Sequence, residues 1–569
     1  MNRTLLTSRA PLRRAVPCAT LALALCAPAM AQHHDTHDER ALQEDPRLAP
    51  GQIAPVLEGL GEHHREVTTS SDRAQLFFDQ GLKLTYGFNH QEALRAFKEA
   101  ARLDPDCAMA YWGWALVLGP NLNLPMSAEV VPQAWEAIQT AVRLKDKASE
   151  KERDLIDALA KLFTDDPEAD RAPFDRAYAE AMEKLYAKYP VDDDIATLYA
   201  AALMNLTPWN YWTKDGEPRA DTPKLLAALE GVIERDPHHE GALHYYIHAV
   251  ESIDAERGEK AADLLRGLTP GAGHLVHMPS HIYMQLGRYE ESVEANADAA
   301  KADEGYITQC RAQGLYPLTY YPHNVHFLAW AAALQGRSRL ALEEARKVAG
   351  KVPADHQHNV WQLYETFLGM PLYVMVRFGM WDEILKEPQP PQEARLLAGL
   401  WHYARGLALL NTRGPKQAST ELKSLDRLLA DPSVAQTGIG FSSAERLLTI
   451  ARHVLLGEIK ARQGEYDEAI AHLDRAIRLE DANLYNEPPD WFQPVRHNLG
   501  AVLLEAGRPV EAEVVYWQDL KKYRNNGFAL FGLWQALKAQ GRTAEATDIE
   551  ARFRTSWADA DVQLSSSRF

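Results

Sequence analysis

The residues best suited to chemistry are histidines, and they are concentrated. Seven of the chain's 21, His244, His248, His274, His277, His281, His323 and His326, fall between residues 241 and 327. Most are three or four residues apart, the spacing that stacks side chains on one helix face a turn apart. Two imidazoles at i and i+4 can grip one ion at about 2.0–2.1 Å, and a third from a neighbouring helix completes an open three-ligand site. With no thiolate-rich motif, the ligand set suits one divalent transition metal, zinc, copper(II) or iron(II), better than copper(I) or a cluster. Glu251, three residues after His248, can ligate, orient a histidine from outside, or act as base on metal-bound water. The competing reading is structural: a His-x-x-x-His pair also occurs as satisfied core or as surface, and histidines lining a groove can bind a carboxylate terminus or stack on aromatic groups without metal.

Such a face needs helices to carry it. The order begins with AQLFFDQGLKLTYGFNHQEALRAFKEAARLDPDC, residues 74–107, in which Gly81, Ala93, Phe97, Ala100 and Pro105 occupy positions 8, 20, 24, 27 and 32 of a 34-residue window. This window resembles the tetratricopeptide repeat, a helix-turn-helix whose small residues allow close packing and whose proline ends the second helix. Turns of the same kind recur at Gly287, Gly336, Gly464, Gly507 and Gly541, the last two 34 residues apart. Longer spacings carry insertions, among them DANLYNEPPDWFQP. Strand alternation is nowhere sustained. The expected fold is all-α, a tetratricopeptide-type α-solenoid forming a right-handed superhelix of helix pairs.

The likeness extends along the chain. DPDCAMAYWGWALVLGPNLN, HMPSHIYMQLGRY, YYPHNVHFL and EPPDWFQPVRHNLGAVLLEAGRPVEAE together resemble a large family of exported bacterial tetratricopeptide proteins, over nearly all of residues 70–550. Ala110 stands where that family often has a cysteine three residues after the one matching Cys107.

The resemblance implies that positions 2, 5, 9, 12 and 13 of each first helix face a concave groove. Counting from the glycine turns puts His274, His277 and His281 at positions 2, 5 and 9 of one repeat. His244, His248 and Glu251 take 5, 9 and 12 of the repeat before it, and His323, His326 and Trp330 take 2, 5 and 9 of the repeat after it. The expected metal ligands are His244, His248, His277, His281 and His326. His274, His323, Tyr320, Tyr321 and Trp330 are expected to face a ligand in the same groove. Trp209, Tyr211 and Trp212 can wall a pocket or pack between helices, with packing favoured. His90 reads as structural, His356 and His358 as loop, and His497 as remote from the cluster.

Composition sets the remaining bounds. Residues 1–31 read as a cleavable export signal: four arginines and no acid, an apolar run, then Ala29-Met30-Ala31. The expected location is periplasmic or secreted. Its removal takes away four positive charges, so the net charge of −18 becomes −22. That disfavours nucleic acid and anionic membrane as partners, and no later run is apolar enough for membrane insertion. Cys107 and Cys310 then remain, either paired or as two buried thiols. No phosphate loop, dinucleotide fingerprint or haem motif is present, so neither nucleotide nor haem is expected. The expected organisation is signal 1–31, disordered histidine-containing tail 32–68, continuous solenoid 69–555 and C-terminal tail 556–569. Two functions stay open. One is a scaffold that binds a peptide, protein segment or small ligand in its groove; the other is a metal-dependent hydrolase or oxidoreductase with Glu251 as base.

Overall fold

The computed structural model describes residues 51–310, 315–352, 361–391, 393–440 and 442–569. The helices of the first half are α1 (Asp72–Tyr86), α2 (His90–Leu103), α3 (Ala108–Leu118), α4 (Val131–Leu144), α5 (Glu150–Leu159), α6 (Ala172–Lys188), α7 (Asp193–Leu206), α8 (Thr222–Arg235), α9 (Glu240–Val250), α10 (Ala255–Leu265), α11 (Gly273–His277), α12 (Pro279–Leu286) and α13 (Tyr289–Cys310). The second half continues with α14 (Leu315–Leu334), α15 (Ser338–Ala349), α16 (Trp361–Arg377), α17 (Trp381–Ile384), α18 (Arg395–Arg413), α19 (Pro415–Leu429), α20 (Pro432–Gln436), α21 (Ala444–Arg462), α22 (Tyr466–Asp481), α23 (Val495–Glu505), α24 (Pro509–Lys522), α25 (Gly527–Ala539) and α26 (Thr543–Ser556). A two-residue hairpin, β1 (Gly438–Ile439) with β2 (Ser442–Ser443), is the strand structure found among the described residues. The all-α expectation holds: helices pack in sequence-adjacent pairs, as α1 with α2 and α21 with α22.

Local chemistry sets the helix limits. Ser71 caps α1 by accepting from the Ala74 amide, and Ser149 with Glu152 forms a reciprocal capping box on α5. The five glycine turns singled out in the sequence, Gly287, Gly336, Gly464, Gly507 and Gly541, all have φ between +71° and +78°, which a side chain would strain.

Repeats lock together through an aromatic wedge. The Phe97 ring of α2 enters between α1 and α3, so close that a Cβ on Gly81 would lie 2.8 Å from it and one on Gly113 2.3 Å. Tyr516 of α24 repeats the device between Gly500 of α23 and Gly532 of α25, at 2.3 and 2.1 Å. The small-residue signature is thus the space an aromatic ring needs on both sides. The apolar core forms two main bodies, one ending at Tyr283 and the other opening at Met284. The histidine-bearing helices lie at their junction.

One expectation on the termini is corrected. Residues 51–68, placed in the disordered tail, lie against the first repeats: Ala54, Leu60 and Val67 are buried. The Ile53 amide donates to Glu99, the Leu57 amide to Gln80 and the Thr68 hydroxyl to Glu152. Their sparse apolar residues sit at docking points between polar ones, which composition alone does not reveal. The C-terminal tail also folds back. Asp561 accepts from the Ser338 and Arg339 amides at the start of α15, and the Ser567 hydroxyl donates to the His497 carbonyl. The segment expected to be an export signal, together with His33, His34, His37, His356 and His358, lies outside the described residues. Cys107 and Cys310 are separate buried thiols, and burial pushes the Cys107 thiol up to about 11.

Gly113→Ala should push the new methyl into Phe97 and destabilise the first repeats by roughly 1–3 kcal/mol, the usual cost of overpacking. The urea midpoint, followed by circular dichroism, reads this directly; an unchanged midpoint would remove the wedge as a packing constraint.

Candidate metal centre

Six imidazoles gather where α9, α11, α12 and α14 face one another, in two groups of three. His244, His248 and His274 form the first lobe and His277, His281 and His323 the second; within each, the ligand nitrogens lie within 4.8 Å of one another. In the first lobe Nε2 of His244 and Nε2 of His274 are 3.1 Å apart. In the second, Nε2 of His277 and Nε2 of His281 are 2.9 Å apart. Pro279, lacking an amide hydrogen, separates α11 from α12 and lies between His277 and His281, whose ring centroids are 4.7 Å apart. His323 is half-buried, the rest buried, so the second lobe has its more open side at α14.

The outward nitrogens decide what the inward ones present. His277 Nδ1 lies 2.6 Å from Asn296 Oδ1, and the Asn296 amide nitrogen is spent on the Ser292 carbonyl, so the imidazole is the donor. His281 Nδ1 faces two carboxylates, Glu487 Oε2 at 2.8 Å and Glu251 Oε2 at 3.1 Å. It too must carry hydrogen. His244 Nδ1 donates to the Tyr86 carbonyl at 2.6 Å. With their Nδ1 atoms committed, neutral His277 and His281 aim two lone pairs at each other across 2.9 Å. Lone pairs that close repel unless a positive charge lies between them, either a proton or a metal ion. In the first lobe His248 Nδ1 is 3.3 Å from Glu251 Oε1, and His248 Nε2 and His274 Nδ1 are buried without a hydrogen-bond partner.

Electrostatics keep most of the rings neutral, as ligation requires. Burial, followed by the neighbouring imidazoles, holds His244, His248, His274, His277 and His323 well below the usual histidine range. His281 is the exception: burial opposes its charge, but Glu251 and Glu487 raise it. Burial also raises Glu251, against the pull of His281.

Apolar walls close the site. Phe327 lies 4.7, 4.6 and 5.1 Å, centroid to centroid, from His277, His281 and His323. Phe88 covers the first lobe, stacked 5.9 Å from His248 and 5.4 Å from His274, and Trp209 meets His248 edge-on at 5.1 Å. Phe88 and Trp209 both adopt left-handed backbone, at φ 55° and 60°. For a non-glycine residue that conformation costs on the order of 1–3 kcal/mol and collects at functional sites. Two of the three such residues among those described pack on this one centre.

The sequence-derived positions can now be placed. His244, His248, His274, His277, His281 and His323 come together; His326 turns to Phe367, 5.8 Å away, and belongs to neither group. Three residues after His323 on α14, it has rotated some 300°, and His323 takes the place the repeat count gave it. Glu251 lies beside outward nitrogens of both lobes, the geometry of the orienting role, and with His281 and Glu487 it also forms a buried set whose ligand atoms are close enough to hold an ion themselves. Tyr320 meets His274 edge-on at 4.9 Å. Tyr321 leaves the centre and donates to Glu304, while Trp330 packs on Phe327 behind the second lobe. Tyr211 is buried and Trp212 donates to the Ala249 carbonyl, both serving packing. His497 is structural, bracketed by Asp519 and Arg377 at 2.9 Å each. Sequence reasoning missed Glu487, Asn296, Phe88 and the Tyr86 carbonyl. An acid beside two prolines in the long insertion was the available signal for Glu487; the others carried none.

A further acid and histidine cluster, His63, Asp194 and His239, lines a surface cavity of about 1360 Å³. It is poorly suited to metal. His239 Nδ1 accepts from the Ala242 amide at the start of α9, so its Nε2 carries hydrogen. Asp194 is saturated by Tyr86, His63 and Arg65 at 2.6, 2.9 and 3.0 Å.

Residues 451–483 match the tetratricopeptide repeat family model. No curated protein matches the chain in sequence. Among solved structures, human IFIT1 with m7Gppp-AAAA is similar at 14% identity over 87% of this chain and 92% of that one, with a TM-score of 0.28. The APC/C hetero-tetramer Cut9-Hcn1 is similar at 14% identity over 85% and 76%, TM-score 0.30, and the P58(IPK) TPR domain at 14% over 83% and 99%, TM-score 0.23. The chain thus carries a tetratricopeptide repeat at residues 451–483 within an array of helix pairs.

The His63 contact carries a pH signature. Burial disfavours its charge, yet the Asp194 hydrogen bond and the charges of Asp194 and Glu240 outweigh burial and Lys83 and raise its affinity for a proton. A raised histidine stabilises fully below its unfolded value near 6.5 and loses that contribution as pH climbs through the folded value. His63→Phe should therefore lower the melting temperature more at pH 5.5 than at pH 8.5; equal losses at both would mean the ion pair contributes nothing.

Proposed function

We propose that this chain is a helix-pair scaffold that binds a divalent transition metal in the histidine centre at the junction of its two core bodies and presents its groove to a protein segment or small ligand. The observation that carries the metal reading is the pair of Nε2 atoms of His277 and His281, 2.9 Å apart with both Nδ1 atoms committed to acceptors. A cation between them turns the repulsion into two ligand bonds, and His323 supplies a third. Ligand nitrogens at about 2.0–2.1 Å from an ion stand roughly 3.3 Å apart in a tetrahedral site, so small outward shifts accommodate it. The imidazole set and absent thiolates favour zinc, copper(II) or iron(II). An exchangeable ligand position on the α14 side belongs to this reading, supported by the half-buried His323. Export belongs to the same reading, supported by the arginine-rich, apolar and Ala-Met-Ala features of residues 1–31.

Protein purified without an affinity tag and dialysed free of loose ions should retain stoichiometric metal by elemental analysis. His277→Ala with His281→Ala should abolish that retention, while the exposed His238→Ala leaves it intact. A wild-type chain without metal, and unable to take up zinc, would mean that a proton is the charge between the rings and would overturn the metal reading.

A further inference from the structure

We propose that the centre holds two ions, one in each lobe, and that Glu251 couples them as a shared positioning residue. This rests on the metal reading above and goes beyond it in number and in coupling. The six histidines do not converge on one point. Their ligand nitrogens fall into two groups of three, and the lobes meet only ring to ring, His248 to His281 and His274 to His277, each pair with centroids 6.0 Å apart. Each lobe has its own fixed ring, His244 by the Tyr86 carbonyl and His277 by Asn296. Each also has its own close nitrogen pair, at 3.1 and 2.9 Å. Buried, unpartnered nitrogens on His248 and His274 mark the first lobe as a donor set in its own right.

Glu251 spans the two. Its Oε1 lies 3.3 Å from His248 Nδ1 in the first lobe and its Oε2 3.1 Å from His281 Nδ1 in the second. This buried carboxylate pairs through Oε1 with His248 Nδ1 and selects that ring's Nδ1–H tautomer, while its Oε2, without a hydrogen-bond partner of its own, adds negative charge beside the His281 Nδ1–H that donates to Glu487. Both Nε2 lone pairs are thereby turned inward, the arrangement that makes a histidine a better ligand. An ion in one lobe draws electron density from its histidine, strengthens that Nδ1–H donor and fixes the carboxylate, which then holds the other lobe's histidine in register. Filling one lobe therefore favours filling the other. Glu487 acts on His281 alone among the six rings. Glu251 and Glu487, both buried, also offset part of the charge two ions would bring.

Chelator-stripped, tag-free full-length chain titrated with cobalt(II) tests this, with the visible d–d bands and elemental analysis as readouts and melting curves confirming that each variant is folded. Two equivalents are expected. His244→Ala should leave one, with the spectrum of the second lobe. His277→Ala, or the milder His323→Ala at a half-buried position, should leave one with the spectrum of the first. A glutamine at 251 can accept from one imidazole but turns an N–H toward the other, so Glu251→Gln should weaken binding of at least one ion by about 10–100-fold, typical for an outer partner. It should also abolish any mutual enhancement between the two. Glu487→Gln should weaken only the second-lobe ion. Saturation at one equivalent, or a Glu251→Gln chain that binds both ions as the wild type does, would overturn the proposal; a chain that binds no cobalt at all would instead overturn the metal reading beneath it.

Discussion

A buried imidazole has two nitrogens to satisfy, and that requirement organises this molecule. His244, His277 and His281 spend their outward nitrogens on a carbonyl, an amide oxygen and a pair of carboxylates. What remains faces inward as lone pairs, in a space too dry for water to solvate them freely. Five of the rings are held neutral by burial and by one another, so the inward face is electron-rich without being charged. Such a surface suits a cation, the basis of the metal reading proposed above.

The repeat architecture serves this by packing neighbouring helix pairs tightly against one another. Phe97 between Gly81 and Gly113, and Tyr516 between Gly500 and Gly532, leave no room for a side chain on either glycine, so adjacent helix pairs have little freedom to slide. The centre spends some of that rigidity. Phe88 and Trp209 hold unfavourable backbone angles in order to set their rings on the first lobe, a distortion that a firmly packed surround can maintain.

Much of this was legible in the sequence, for identifiable reasons. Glycine turns and small positions report backbone geometry directly, so the helix pairs and the glycines with positive φ followed from residue type. The repeat count brought six histidines to one place because repeats convert sequence separation into spatial equivalence. It failed at His326, since helical phase separates it from His323 and the count alone set groove against core. It also could not divide six rings into two groups, because the boundary falls between His274 and His277 on the single short helix α11, where a repeat count makes no distinction. The outward partners were invisible for a different reason. Asn296 sits on the second helix of its pair and Glu487 in an insertion, places where the repeat pattern makes no statement. Residues 51–68 were misjudged because docking one apolar residue at a time leaves no periodicity to read.

The contact between His281 and Glu487 spans 206 residues, and Gln285 joins the same carboxylate from α12. A chain emerging in order has all six rings long before it has that acid. Until the late insertion arrives, His281 lacks the carboxylate that accepts its Nδ1 hydrogen bond and has only Glu251 beside that nitrogen. Ordering of the second histidine group is thereby tied to completion: a truncated or half-made copy lacks the acid that anchors His281, and only the finished chain sets that ring.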